Sequence, residues 1–224
     1  MIVTMDGPAG AGKSSIARML AKRLGYDFLD TGAMYRCVTL RCLQLNIDLK
    51  DEQAIAQAAD CMSIQFENDQ VFVDGIEVTD RLRSNQVTQS IRPIADNLAV
   101  RNSMIRFQRH WAGTRDVVTE GRDQGTVAFP NAECKIFLTA SPEERARRRV
   151  SQLLSIGETV DFQDVLAQQA QRDWEDTQRA VGGLKVASDA VIFETDGLSE
   201  GEVLERLVKL VHSRDRRRAT GTQA

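Results

Sequence analysis

The spacing of apolar positions changes along the chain, and each change marks an element. The opening run Met1-Ile2-Val3-Thr4-Met5 reads as a buried strand, and residues 15–24 follow with helical spacing. Residues 26–30 (YDFLD) read as a short second strand, which Thr31-Gly32 breaks before a helical pattern opens at Ala33 and runs to about residue 45. Strand, loop, helix, strand, helix is how a parallel α/β sheet begins. A short helix is expected over 51–60, and then the period falls to two. Residues 63–66, 70–73 and 76–78 are brief alternating runs separated by Glu67-Asn68-Asp69 and Asp74-Gly75, and Asp-Gly between β-formers is a hairpin signal. Antiparallel strands do not fit a βαβ rhythm, so residues 55–100 are predicted to form a small inserted subdomain of the kind that clamps a substrate.

Helical spacing returns over 94–111, with Val100, Met104, Ile105 and Trp111 apolar and Arg101, Arg106 and Arg109 along the same stretch. Residues 116–120 read as a core strand that runs into the polar loop Gly121-Arg122-Asp123-Gln124-Gly125-Thr126, and 135–139 (KIFLT) as the next strand. Ser141-Pro142-Glu143-Glu144 then supplies an N-cap, a proline at the first helical position and an acidic first turn. A second helix is expected over about 162–179. Between the two, 154–161 holds a glycine and no period, which suits a mobile lid turn. A last strand over 190–194 and an amphipathic helix over 199–212 complete the pattern.

The loop after the first strand carries the chemistry. Gly7-Pro8-Ala9-Gly10-Ala11-Gly12-Lys13-Ser14 fits G-x-x-x-x-G-K-[ST] with a strand before it and a helix after it. Small residues let such a loop wrap a polyphosphate while backbone N–H groups and the helix dipole face the anion. Lys13 would neutralise the β- and γ-phosphates, and the Ser14 hydroxyl would ligate a bridging Mg²⁺ ion. Ligands of parallel sheets sit at the carboxyl ends of the strands. That rule brings in Thr31, Tyr35 and Arg36 after the second strand, and Arg122 and Asp123 after the strand at 116–120.

Composition narrows the classes. The 224 residues suffice for one large α/β domain or a core with an insertion, and 42% hydrophobic with 27% charged residues is the balance of a soluble globular protein. No stretch is long and apolar enough for a membrane span, and the first residues lead into a phosphate loop rather than a signal sequence, so the cytoplasm is the expected compartment. Cys37, Cys42, Cys61 and Cys134 show neither C-x-x-C spacing nor partnering histidines, and His110 and His212 match no catalytic pattern. A net charge of −3 gives no reason to expect nucleic acid. Arg216-Arg217-Arg218 belongs to a polar tail, 214–224, expected to be frayed and solvated.

Arginines supply the second half of the chemistry. Arg145, Arg147, Arg148 and Arg149 fall within five residues, and Arg172, Asp173, Asp176 and Arg179 recur at helical spacing. Adjacent guanidinium groups repel unless an anion joins them. A phosphate loop at one end and Arg36, Arg122, Arg148, Arg149, Arg172 and Arg179 at the other describe two anion sites facing each other. That arrangement suits a phosphoryl transferase, in which catalysis is positioning plus fixed positive charge.

Taken together, MDGPAGAGKSS, LDTGAMYR, EGRDQGTVAFP, KIFLTASPEERARRR and RDWEDTQRAV resemble the bacterial cytidylate kinases over nearly the whole chain, in order and at appropriate spacing. The resemblance implies a P-loop NTPase fold of the nucleoside monophosphate kinase type: a parallel central sheet flanked by helices, a monophosphate-binding insert with short antiparallel strands, and a helical lid. The expected divisions are a core of 1–54, 101–150 and 185–213, an insert of about 55–100, a lid of about 148–180 and the tail. The implied reaction is ATP + (d)CMP → ADP + (d)CDP with Mg²⁺. By the same resemblance, Gly7 to Ser15 hold the ATP phosphates, with Ser14 on the metal, and Arg36, Arg122 and Arg179 are ligands of the CMP phosphate. Arg101 and Asp123 form the cytosine-reading pair, Asp176 with Arg172 the ribose contact, and Arg148 and Arg149 the lid arginines on the transferred group.

Two positions depart from the family pattern. Arg92 stands where members often carry a base-contacting serine, with Ser90 two residues away, and Glu120 stands where others have Asp. Kinase chemistry is thus implied by more of the motifs than cytosine selectivity is. A kinase for another small acceptor, such as UMP or shikimate, stays open, as does a nucleotide-binding regulator without transfer activity. The expectation is a cytosolic monomer acting on small molecules, with no nucleic-acid or membrane partner.

Overall fold

In the computed structural model, residues 1–67, 70–155, 157–179 and 181–215 are described, and they form two compact units. One comprises Met1–Leu29 together with the chain from Thr114 onward, and the other is Asp30–Gly113.

The first unit is built on a five-stranded parallel sheet in the order β2-β6-β1-β7-β8. Its strands are β1 (Ile2–Asp6), β2 (Asp27–Asp30), β6 (Val117–Gly121), β7 (Cys134–Thr139) and β8 (Val191–Glu194). β1 and β6 are buried along their length with no alternation of buried and exposed positions, as central parallel strands are, even at Thr4, Thr119 and Glu120. Helices α1 (Lys13–Leu24) and α8 (Glu200–Arg214) cover β1 and β7, with Ile16, Leu20, Leu207 and Val211 packed on Val3, Met5, Ile136 and Leu138. A capping box starts α8: Ser199 accepts from the Glu202 amide and the Glu202 carboxylate accepts from the Ser199 amide. Helices α6 (Pro142–Ser155) and α7 (Phe162–Gln178) make a hairpin with its own small core of Ala146, Leu153 and Val165. The expected lid turn over 154–161 is taken up in part by the end of α6, residue 156 lies outside the described residues, and Gly157 is left-handed at φ 82°.

Register fixes what this sheet can present. Ile2 pairs with Val117 and Asp6 with Gly121, while Asp6 also pairs with Phe137, all in parallel. The carboxyl ends of β1 and β6 are therefore level, and the loops that leave them start side by side. These are the phosphate loop and the segment Arg122-Asp123.

The second unit holds α2 (Thr31–Gln44), α3 (Glu52–Asp60), a three-stranded antiparallel sheet, α4 (Asn85–Asp96) and α5 (Leu98–Ala112). The sheet has the order β3-β4-β5, from Ile64–Glu67, Gln70–Val73 and Ile76–Glu77. Asp74 and Gly75 turn β4 into β5 with φ 51° and 77°, the positive pair that a two-residue hairpin needs. The turn expected at Glu67-Asn68-Asp69 lies at residues 68 and 69 outside the described residues.

Three readings of the sequence are corrected. The second strand ends at Asp30 as expected, but the helix opens at Thr31 and not at Ala33, because Asp30 accepts from the Ala33 amide at 2.8 Å and caps α2 there. The single helix expected over 94–111 is two, because Asn97 accepts from the Val100 amide at 3.1 Å and caps a new helix there. Pro93 lies inside the earlier one, where Val87 and Ile94, seven residues apart, bury one face of α4. At the chain's end, Arg214 closes α8 and Asp215 caps it. The tail from residue 216, including Arg216-Arg217-Arg218, lies outside the described residues.

Candidate active site

Between β1 and α1 runs the loop Gly7-Pro8-Ala9-Gly10-Ala11-Gly12, which packs tightly enough at Gly7 to exclude a side chain there. A Cβ at Gly7 would stand 2.0 Å from the Leu138 carbonyl oxygen. Lys13 is 5% exposed, and its Nζ donates to the Pro8 carbonyl at 2.7 Å. Burial pulls its pKa down to about 7; the Arg122 charge pushes the same way, against Glu120 and Asp6. Ser14 and Ser15 open α1 on its exposed side, and the Ser14 hydroxyl donates to Glu120 Oε1 at 2.9 Å.

The second strand end is fastened to the first. Asp6, buried at the end of β1, accepts from the Gln124 amide at 2.8 Å and the Gly125 amide at 2.7 Å. Burial pushes the Asp6 carboxyl up to about 6 against the pull of those two amides. After Asp123 the chain makes a wide helical turn, Gln124–Ala128, in which the Ala128 amide donates to the Asp123 carbonyl and the Phe129 amide to that of Gln124. Turns of this width often mark functional sites. The turn buries Asp123 and leaves Arg122 half-buried beside it.

Arg122 is joined there by α7. Its Nε donates to Asp176 Oδ2 at 2.8 Å, and Arg179 Nη2 donates to Asp176 Oδ1 at 3.1 Å. Burial alone would raise the Asp176 carboxyl, but Arg122, Arg179 and Arg172 outweigh it and hold the group below its ordinary range. Three guanidinium groups thus act on one carboxylate, and two of them, Arg122 and Arg172, are also felt at Lys13.

The four arginines of α6 part company. Arg145 is 5% exposed and turned into the phosphate loop, where its Nη1 donates to the Ala9 carbonyl at 2.9 Å and to Asp173 Oδ2 at 2.5 Å. Arg148 lies against the same loop, with Nη1 at 4.0 Å from where a Gly12 Cβ would stand. It donates to Glu144, the Thr195 hydroxyl and the Thr195 carbonyl. Arg147 pairs with Glu144, and Arg149 is exposed and bonded to Gln152 on its own helix. Repulsion among them is relieved by splaying around the helix, not by one shared anion.

The remaining candidates fall in the second unit. Thr31 is buried in the first turn of α2. One turn on, Arg36 Nη1 donates at 2.9 Å both to the Leu82 carbonyl and to the Thr88 hydroxyl. Arg101 is buried on α5, its guanidinium 5.9 Å from the centre of the Tyr35 ring and its Nη1 donating to the Ala95 carbonyl at 3.3 Å. Arg92, at the position that departs from the family pattern, is exposed on α4 and pairs with Asp96 at 3.5 Å.

Ser14 and Glu120 fit a Mg²⁺ ion as donors. Both offer hard oxygens within hydrogen-bonding distance of each other, and Mg²⁺ takes one or two protein oxygens with substrate phosphates and water completing its shell. Among the described residues there is no cluster of three or more His, Cys, Asp or Glu able to hold a metal by itself. No described helix is long and apolar enough to cross a membrane.

Three residues at the site were not singled out by sequence. Asp6 stands just before the phosphate-loop motif, Arg145 was one of four equal-looking arginines, and Asp173, noted only for its helical spacing, accepts from the Ala9 amide at 3.2 Å. The four-residue spacing of Gln169 and Asp173 on α7 was the available signal.

Comparison with known proteins agrees with this geometry. A family model described as cytidylate kinase matches residues 3–213. The cytidylate kinase of Rhodopirellula baltica is 51% identical over 211 residues, covering 94% of this chain and 92% of that protein. That of Mycobacterium leprae is 45% identical over 215 residues, covering 96% of each. Among solved structures, TT1252 from Thermus thermophilus aligns with a TM-score of 0.51 at 16% identity, covering 96% of this chain and 97% of that one, a likeness of fold.

Proposed function

The chain belongs to the cytidylate kinase family and phosphorylates CMP as a nucleoside monophosphate kinase; on that premise we propose how its own residues carry the transfer. A CMP or dCMP phosphate oxygen attacks the γ-phosphorus of ATP in line, the bond from that phosphorus to the β–γ bridging oxygen breaks, and ADP leaves with CDP or dCDP formed. The observation that carries this assignment is the level ending of β1 and β6, which sets the Lys13 loop beside Arg122 and, through Asp176, Arg179.

Gly7 to Ser15 cradle the ATP phosphates, with backbone amides and Lys13 compensating the charge on the β- and γ-groups. Ser14 and Glu120 would hold Mg²⁺, which would supply positive charge against the phosphate oxygens of ATP. Arg122, Arg179 and Arg36 orient the acceptor phosphate, and Arg148 and Arg149 stabilise the transferred group when the lid closes. Arg122, Arg172, Asp176 and Arg179 together carry more positive than negative charge, which supports a binding place for a dianion. Asp176 and Arg172 serve the ribose, and Thr31 and Tyr35 border the acceptor. Residues 55–100 act as the monophosphate-binding insert and 148–180 as the lid that excludes water, so that the donor is not hydrolysed. The enzyme works as a cytoplasmic monomer.

Base selection falls to Asp123 and Arg101. A carboxylate accepts from the cytosine N4 amino group, which uracil lacks. Asp123→Ala should therefore shrink the CMP-over-UMP preference in kcat/KM by about tenfold or more, the equivalent of ~1–3 kcal/mol for one lost hydrogen bond. An unchanged ratio would remove the base-reading role.

Coupled detection of ADP across CMP, dCMP, UMP and AMP tests the whole reading. Turnover on CMP and dCMP well above UMP and AMP is expected. ATP binding with no product on any monophosphate would instead identify a regulator.

A further inference from the structure

Resting on the transfer reading above, we propose that Asp173 is a positioning residue that couples occupancy of the acceptor cluster to the donor loop. The Ala9 peptide is held at both ends by one ion pair. Its N–H donates to Asp173 Oδ1 at 3.2 Å and its carbonyl accepts from Arg145 Nη1 at 2.9 Å, while Asp173 Oδ2 accepts from the same Nη1 at 2.5 Å. Arg145 is pinned in turn, its Nε donating to the Ala140 carbonyl at 3.1 Å and its own carbonyl accepting from Gln169 Nε2 at 3.3 Å. A Cβ on Gly10 would stand 2.7 Å from that Nε2 and 3.4 Å from Arg145 Cβ. The phosphate-loop pattern leaves the fourth position unrestricted. Glycine at residue 10 answers first to its left-handed backbone at φ 78°, with the end of the Gln169 side chain close by.

The same helix holds the acceptor side. Gln169, Asp173 and Asp176 recur at intervals of four and three and share a face of α7. Asp176 accepts from Arg122 and Arg179 about one turn, or ~4.5 Å along the axis, beyond Asp173. An acceptor phosphate that draws Arg122 and Arg179 from Asp176 changes the forces on a rigid helix whose previous turn grips the Ala9 peptide. The orientation of that peptide sets how the loop amides meet the ATP phosphates. Donor and acceptor sites are thereby linked through side chains that touch neither substrate's base.

The coupling is measured on the full chain as the ratio of dissociation constants for a non-hydrolysable ATP analogue without and with saturating CMP. In the unaltered protein CMP should tighten the analogue by about fivefold or more, within the usual range of coupling between sites. In Asp173→Ala the ratio should fall to about one while the affinity for CMP alone stays within twofold. Asp173→Asn keeps an acceptor for the Ala9 amide but loses the charge facing Arg145, and its ratio should lie between the two. Uniform weakening of the analogue with the ratio preserved would make Asp173 a mere brace and overturn the proposal, as would absence of coupling in the unaltered protein. If the alanine variant does not fold, the asparagine variant decides: a reduced ratio supports the coupling and an unchanged one overturns it. Failure of the transfer reading would appear separately, as no turnover on any monophosphate.

Discussion

Lys13→Met is expected to lower kcat by about 10³-fold and, at the same time, to raise the melting temperature of the nucleotide-free protein at pH 6 by a few degrees. The loss follows from removing a fixed charge aimed at phosphate oxygens in a site shielded from water, where one positioned donor contributes about 10²–10³ in rate and a full charge no less. The gain follows from burial. Folding moves the Lys13 pKa from 10.5 down to about 7. Below pH 7 the group is charged in both folded and unfolded chains, and the whole cost of burying the charge is carried. From pH 7 to 10.5 the folded protein sheds the proton first, so stability rises with pH across that window. Methionine fills the space without the charge and should abolish that rise. Asp6 acts at the other end. Its pKa is raised from 3.8 to about 6, so its contribution falls as pH climbs through that interval. ATP reverses the economics at Lys13 because phosphate restores the proton. Its dissociation constant should therefore grow about fivefold between pH 7 and pH 8 in the unaltered protein, the loss of protonated lysine for a group titrating near 7, and should be flat there in Lys13→Met. Calorimetric titration at the two pH values checks both statements, and a variant with near-normal turnover would remove Lys13 from the mechanism.

Elements written in one period were legible from sequence alone. The strands β1, β6, β7 and β8 are short runs with apolar residues at their start, Asp74-Gly75 announces its hairpin, and Ser141-Pro142-Glu143-Glu144 announces α6. Boundaries set by a single side chain were not. Asp30 and Asn97 each begin a helix by accepting one amide proton, a choice the chain makes only when the surrounding packing favours it. Pro93 sits inside α4, with the buried Val87 and Ile94 on either side of it. The site divided in the same way. A loop motif gives Lys13 and Ser14 directly, because spacing along the chain determines their geometry. The partition of Arg145 from Arg147, Arg148 and Arg149 depends on which side of α6 meets the loop, and that is decided by α7, some twenty residues on. Asp6 needs still more: its two amide donors come from residues 124 and 125 and meet it only through the parallel register of β1 and β6.

Arg122→Met should lower kcat/KM for CMP by about 10³-fold while tightening, not weakening, ATP at pH 8. Two consequences of one charge pull apart here. On the acceptor side, Arg122 gives Asp176 its shorter bond and leads the charges that hold that carboxylate ionised. Without it, burial raises the Asp176 pKa, Arg179 loses part of its anchor, and an acceptor phosphate has fewer planar donors to align it; misalignment of the attacking oxygen is costly because positioning supplies most of this catalysis. On the donor side, Arg122 is the neighbouring charge that most depresses Lys13. Its removal lets the lysine keep its proton to higher pH, so the pH at which ATP binding begins to weaken moves up from about 7. Arg122→Lys should restore the pH behaviour, since it restores a charge, but only part of the rate, since an ammonium cannot reproduce the bidentate fork. A structural collapse would weaken both substrates together. Opposite movements of the two affinities, read by titration of each nucleotide alone, mark a guanidinium that stands at the boundary of two anion sites. Retention of CMP turnover within tenfold would place the acceptor phosphate elsewhere.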